Sequence, residues 1–399
     1  MKMFPNTVAG VIEALETSFG KNIYADKVVD RLLKRNKKWG SRDRAFVAEH
    51  TYEIVRNWRL LWWILDMEPE LKRKTLWKLV GVYFLWREVE LPDWPKFDSI
   101  RDFDIKSRLK ELPEDTGITE SFPAWMNELM TEELGEAWPE IAHALNEEAR
   151  VYLRINHIKS NERDVLDALA EAGIQANPVP NQPGALYIEG RPRLNRIEAF
   201  QDGWFEVQDA GSQSIAPYVG AEPGMKVIDA CSGAGGKALH LADLMKGQGE
   251  IICMDIEERK LYELEKRAER AGVDFISTHP ITDRKFTQRY YEWADRLLLD
   301  VPCSGTGVIK RDPDTKWKLQ PEHLERTIEI QEDILDRYTD MLKPGGEVIY
   351  ATCSILKSEN ENQVQKFLEN RSGFELVEDK RVNPSSYSDG FYMARIRKL

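Results

Sequence analysis

Two thiols and three carboxylates fall where chemistry is easiest to place, just past short apolar runs. Cys303 follows one run in DRLLLDVPCSGTG, and Cys353 follows another in EVIYATCS. A thiolate is a strong nucleophile that can carry a covalent intermediate. Asp229, Asp255 and Asp300 close the runs VID, IICMD and LLLD. After Asp229 comes the glycine-rich turn Cys231, Ser232, Gly233, Ala234, Gly235, Gly236 and Lys237, and then a helical pattern through Leu239, Leu241 and Leu244. Strand, tight turn and helix are the opening unit of a nucleotide-binding sheet, because side chains at the glycines would block a close ligand. Asp255, some 20 residues on, is placed to bind ribose hydroxyls. Gly233, Gly235 and Ala238 also fit the relaxed dinucleotide pattern, so NAD competes as the cofactor.

These residues need an open parallel sheet to bring them together. Strands are predicted at 226–230, 250–255, 274–278, 295–300, 346–351, 374–378 and 391–397, mostly separated by helical segments. The last two lack a long helix between them and suggest an antiparallel edge hairpin. Ligands of such sheets lie beyond the carboxyl ends of the strands, which would set Cys303 and Cys353 on one rim with the glycine-rich turn. Two thiols converging on a nucleotide-type cofactor fit one reaction well. Carbon 5 of cytosine is a poor nucleophile until a thiolate adds to carbon 6 and makes the ring enamine-like. A nearby cation such as Lys310 or Arg311 would favour that thiolate. Cys231 and Cys253 lie on the turn and inside a strand and are expected to be structural.

DACSGAGGK, LLLDVPCSGTGVIKRDPDTKW and IYATCSILKSENENQV resemble the motifs of the RNA 5-methylcytosine methyltransferase family, and DGFYMARIRK resembles its terminal strand. SRDRAFVAEHTYEIVRNW resembles, more loosely, the NusB-like helical domain of the bacterial 16S ribosomal RNA methyltransferase B subgroup. The resemblance implies Cys353 as the nucleophile, with Cys303 assisting proton removal or product release; DNA cytosine methyltransferases use the cysteine after proline, which makes Cys303 the alternative. It implies S-adenosylmethionine as cofactor. Asp229 and the turn from Cys231 to Lys237 would hold its methionine portion, Asp255 its ribose, and Asp283 of PITD would lie near adenine. Asp300 would contact the target base near the donor, and Arg259 is counted with the cofactor set. Where the family often has proline after the first alanine of the turn motif, this chain has Cys231 and Ser232, a change expected to alter packing rather than chemistry.

The remainder of the chain supplies a partner and a frame. Its 399 residues allow two or three domains. The net charge is −12, yet residues 21–110 carry 21 Lys and Arg against 14 Asp and Glu. Within that basic stretch, Lys34, Arg35, Lys37, Lys38, Arg42 and Arg44 are candidate phosphate contacts, as are Lys310 and Arg311 near the catalytic motif. They could equally be a solvated helix end whose cations suit the helix dipole. The tryptophans at 58, 62, 63, 77 and 86 recur at helical spacing and are expected in a core.

The expected architecture is α/β: a helical NusB-like domain at 1–115, a small α+β module at 120–204 and a Rossmann-like methyltransferase domain at 205–399. Pro92, Pro95 and Pro113 mark 91–120 as linker-like. No apolar run reaches the ~18 residues that span a bilayer, and the N-terminus lacks a signal-peptide layout. The four cysteines match no zinc spacing. A cytoplasmic monomer acting on RNA, without metal or membrane, is therefore expected. Ribosomal 16S RNA is the first candidate and transfer RNA the second. A non-catalytic RNA-binding or ribosome-assembly factor on the same fold is the competing class.

Overall fold

The computed structural model describes residues 3–399; Met1 and Lys2, the start of the expected first domain, lie outside the described residues. The chain forms two compact units. One comprises the chain up to Asn146 together with Arg311–Gln320, the other Glu147–Lys310 and Pro321–Leu399.

The first unit is helical, as its periodicity predicts. Helix Pro5–Gly20 starts with proline, whose missing N–H is no loss in a first turn, and buries Val8, Val11, Ile12 and Leu15 on one face. Trp58, Trp62 and Trp77 are buried in the same core, and Trp58 stacks on Phe19 with ring centroids 3.8 Å apart. The stretch 91–120 is not a linker. Phe97 and Ile100 are buried in this core, and Phe97 meets Trp77 edge-on at 5.3 Å. Proline stops a helix, but it does not prevent the neighbouring aromatic residues from packing.

Arg311–Gln320 also departs from expectation, since these ten residues lie inside the span read as one C-terminal domain. Asp314 accepts from the Ala25 amide at 2.6 Å, and the Trp317 indole donates to the Val55 carbonyl at 2.8 Å. Lys316 is fully buried; its ammonium donates to the carbonyls of Arg56, Glu120 and Ser121 and to Asn146 Oδ1. The Phe122 ring lies 4.0 Å from it. Burial, then Arg56, pushes this ammonium well below the usual lysine range.

The second unit holds two sheets. In the smaller, β1 (Val151–Ile155), β2 (Ala176–Pro178), β3 (Ala185–Ile188) and β4 (Phe205–Val207) form an antiparallel sheet in the order β2-β3-β1-β4. Helix Glu162–Glu171 accompanies it, capped by the Asn161 side chain. The methyltransferase domain is expected to start at residue 205, yet β4 pairs with β1 of the smaller sheet. Three residues are too few for an alternating pattern to declare itself.

The larger sheet contains β5 (Lys226–Asp229), β6 (Glu250–Asp255), β7 (Ile276–Pro280), β8 (Ala294–Asp300), β9 (Leu342–Thr352), β10 (Phe374–Val382) and β11 (Phe391–Lys398). Its order is β10-β11-β9-β8-β5-β6-β7; β5 to β9 run parallel, and β11 is antiparallel to both β9 and β10. Strand side chains alternate between two cores. Ile228, Ile252, Leu297, Leu299 and Val348 face helices Pro321–Tyr338 and Glu361–Asn370. Val227, Ile251, Cys253, Leu298 and Ile349 face helices Gly236–Leu244 and Glu258–Ala271. From β5 the chain moves outward to β6 and β7, then returns to β8 on the opposite side. That reversal opens a crevice above the carboxyl ends of β5 and β8. No helix among the described residues is long and apolar enough to cross a membrane.

Candidate active site

Beyond β5 the chain makes its tight turn. The Ser232 amide donates to the Met254 carbonyl at 3.0 Å, and the Gly233 amide donates to Asp255 Oδ2 at 2.9 Å. Gly235 stands in the left-handed region at φ +83 and starts the following helix; a Cβ there would come within 2.4 Å of Leu264 Cγ. Only glycine satisfies both the conformation and the contact. A Cβ at Gly233, by contrast, would meet nothing within 4 Å, so the outer side of the turn is open.

Asp229 is buried, and neither carboxylate oxygen has a hydrogen-bond partner among the described residues. Burial first, then the charge of Asp300, pushes its pKa up to about 7. An orphaned carboxyl beneath an open glycine turn is costly unless a ligand completes it. Lys237 donates to Asp300 Oδ2 at 2.5 Å. Burial opposes its charge, but the Asp300 pair outweighs this and holds the ammonium above the usual lysine range, with Cys353 and Asp229 adding to the effect.

The two cysteines meet at the same rim, their sulfurs 3.1 Å apart. Both are half-buried. Backbone contacts lock their loops together: Gly307 N–H donates to the Cys353 carbonyl at 2.9 Å, and Gly390 N–H donates to the Gly307 carbonyl at 2.8 Å. A Cβ on Gly307 would lie 2.2 Å from the Gly390 oxygen, so the approach needs glycine there. The hydrogen bond to Cys353, then burial, then the neighbouring charges hold the Cys303 thiol well above its usual range.

The residues expected at the site divide into three groups. Asp229, Cys231 to Lys237, Asp255, Asp300, Cys303 and Cys353 come together at the carboxyl ends of adjacent strands. Asp283 follows β7 but is exposed and caps its own turn by accepting from the Lys285 amide; Arg259 is exposed on the helix after β6. Lys310 is a correction. It is buried and donates to the Ser385 and Ser388 carbonyls, so it cannot reach a phosphate. Lys237, paired with Asp300, is instead the cation on this rim. Arg311 is exposed and belongs to the first unit.

In that unit Lys37, Lys38 and Arg42 are exposed, while Lys34 and Arg35 pair with Asp30 and Glu13 at the surface. Arg44 is half-buried, and its Nε donates to the Trp39 carbonyl at 3.1 Å.

Sequence reasoning passed over the polar frame beneath the thiols. Glu359, Asn360 and Gln331 are wholly buried there. Glu359 accepts from the Ser304 amide at 2.8 Å, and Asn360 bonds Thr352 Oγ1 and the Ser354 carbonyl. The only sequence signal for Glu359 and Asn360 is membership of the quoted SENEN stretch, which reads equally well as an acidic helix start, and Gln331 has none.

A family model described as 16S rRNA methyltransferase RsmB/F matches residues 218–397, and a model of the RsmF/B-like ferredoxin-like domain matches 122–194. Ribosomal RNA small subunit methyltransferase B of Vibrio cholerae is 33% identical over 285 residues, 69% of this chain and 65% of that protein. Its counterpart from Shigella flexneri is 32% identical over 286 residues, 69% of this chain and 66% of that protein. The chain thus spans just under two thirds of the length of these curated relatives.

Among solved structures, PH0851 matches with a TM-score of 0.76 at 23% identity over the whole of both chains. A methyltransferase homologue from Pyrococcus horikoshii matches with a TM-score of 0.63 at 25% identity, covering 72% of this chain and all of that one. NSun6 from the same organism, solved with SFG, matches with a TM-score of 0.64 at 21% identity, covering 70% of this chain and 99% of that one. With the two adjoining family matches and the paired cysteine motifs on one methyltransferase-type sheet, the chain belongs to the RsmB/F family of 16S rRNA methyltransferases.

Proposed function

We propose that this protein methylates carbon 5 of a cytosine in RNA, with 16S ribosomal RNA as the substrate, using S-adenosylmethionine. The observation that carries the proposal is the pair of sulfurs 3.1 Å apart beside a glycine turn with an unsatisfied buried carboxylate. S-adenosylmethionine, when bound, supplies the electrophilic methyl group. Asp229 and the turn from Cys231 to Lys237 would hold its methionine portion, where the orphaned carboxyl and the open side of Gly233 fit a cationic ligand. Asp255 would take the ribose, although each of its oxygens already accepts one backbone amide. The contributions of Asp283 and Arg259 would be weak, since both are exposed.

Cys353 adds as the nucleophile to carbon 6 of the base, and the ring becomes nucleophilic at carbon 5. Asp300, held by Lys237, contacts the base. After methylation the proton on carbon 5 must leave so that the bond from Cys353 to carbon 6 can break. Cys303 assists that step or the release that follows. A target base inside a stack has to be flipped out or already single-stranded. The exposed cations of the basic turn supply affinity through the backbone, and the antiparallel module contributes placement. A cytoplasmic monomer is the state in which we expect it to act.

Methyl transfer from radiolabelled S-adenosylmethionine to total RNA of a deletion strain, with bisulfite mapping, tests this. One labelled cytosine in 16S RNA is expected. Label in transfer RNA would keep the chemistry and overturn the substrate. No label in any RNA would favour a binding factor.

A further inference from the structure

The wholly buried Glu359 sits against the Cys303 loop rather than against solvent. Its carboxylate accepts from the Ser304 amide at 2.8 Å, from the Ser304 hydroxyl and from Gln331 Nε2 at 3.0 Å. Gln331 Nε2 also donates to the Pro302 carbonyl at 2.9 Å. Cys303 is therefore gripped through the residues on both sides of it, with Glu359 and Gln331 joined to each other. The Glu359 carbonyl is fixed in turn by the Tyr350 hydroxyl at 2.7 Å.

We infer that Glu359, braced by Gln331, is a positioning residue that fixes Cys303 opposite Cys353 and, by its charge, disfavours a thiolate at Cys303. The two sulfurs are close neighbours, so only what surrounds them can tell them apart. Around Cys303 the nearest anion is the Glu359 carboxylate, bonded to the amide and hydroxyl of the adjacent Ser304, whereas the Lys237 ammonium on the same rim pairs with Asp300. The Tyr350 hydroxyl is occupied by the Glu359 carbonyl, and Asp300 holds Lys237. An anion beside a thiol disfavours thiolate formation, and a cation favours it. The Cys303 thiol is held above its usual range first by its hydrogen bond to Cys353, then by burial, with Glu359 adding in the same direction.

The inference rests on the proposed reading of the two cysteines as the working thiols, but its test does not require methyl transfer. Iodoacetamide labelling across a pH series, read by peptide mass spectrometry, reports each cysteine separately. In the wild-type protein at pH 7, Cys353 should be labelled about tenfold faster than Cys303 or more; Cys303 reacting first would overturn the inference. Glu359→Gln keeps most of the hydrogen bonds and removes the charge. It should move the Cys303 labelling midpoint down by about one pH unit or more, while Glu359→Asp retains the wild-type profile. A midpoint unmoved in Glu359→Gln would also overturn it. Gln331→Leu keeps the charge and loosens the loop. It should leave both labelling profiles in place and lower kcat, with KM for S-adenosylmethionine unchanged. If wild-type methyl transfer failed while the labelling shift appeared, the functional reading would fall and the role of Glu359 would stand.

Discussion

At the scale of single residues, the site is a set of buried polar groups whose surroundings give each a different state. Two chemically identical thiols lie side by side, and the buried Glu359 carboxylate bonds the residue next to only one of them, Cys303. We expect Cys353→Ala to abolish methylation and Cys303→Ala to leave a covalent RNA adduct that survives denaturing electrophoresis. Adducts with Cys353→Ala instead would reverse the two roles.

Asp229 gives a pH dependence with a definite sign. Its folded pKa of about 7 lies above the ~3.9 of an exposed aspartate, so the folded state binds more protons between those values. Ligand-free stability should therefore fall as pH rises from about 4 through about 7. The upper bound is on the order of 4 kcal/mol at pH 8. Asp229→Asn should raise the melting temperature of the ligand-free protein at pH 8 far more than at pH 5, and weaken S-adenosylmethionine binding. Melts at the two pH values, with calorimetric titration of the cofactor, check both.

At the scale of elements, two turns do the positioning, and each depends on backbone that a side chain would displace. Gly235 joins β5 to its helix at positive φ and against Leu264. Gly235→Ala should cost roughly 1–3 kcal/mol in denaturant unfolding and lower cofactor affinity, since strain and overlap act together. Gly307 matters differently, because its neighbours are the carbonyl oxygens of Gly390 and Cys353. Gly307→Ala should force the two cysteine loops apart and slow methyl transfer while leaving cofactor binding in place, a separation of kcat from affinity that single-turnover kinetics would show.

At the scale of the whole molecule, the proposed function assigns RNA affinity to charge at the surface and catalysis to groups removed from it. Lys37, Lys38 and Arg42 are exposed, whereas Arg44 and Lys310 are committed to carbonyls of the chain itself. Replacing Lys37, Lys38 and Arg42 together by alanine should weaken RNA binding and reduce the magnitude of its salt slope by up to ~3. Cofactor affinity should not change.

The sequence by itself determined the seven strands of the larger sheet, the glycine turn and the carboxylates and thiols at the strand ends. It did so because alternation, helix spacing and tight turns are local properties of the chain. The packed stretch 91–120, the pairing of β4 with β1 and the inclusion of Arg311–Gln320 in the helical unit were decided by distant partners. The same holds for single charges. Lys310, Lys316 and Glu359 look in sequence like any surface lysine or glutamate, and only the tertiary structure removes them from water. What a charged group does depends on its desolvation and its neighbours, and both are set by what packs over it.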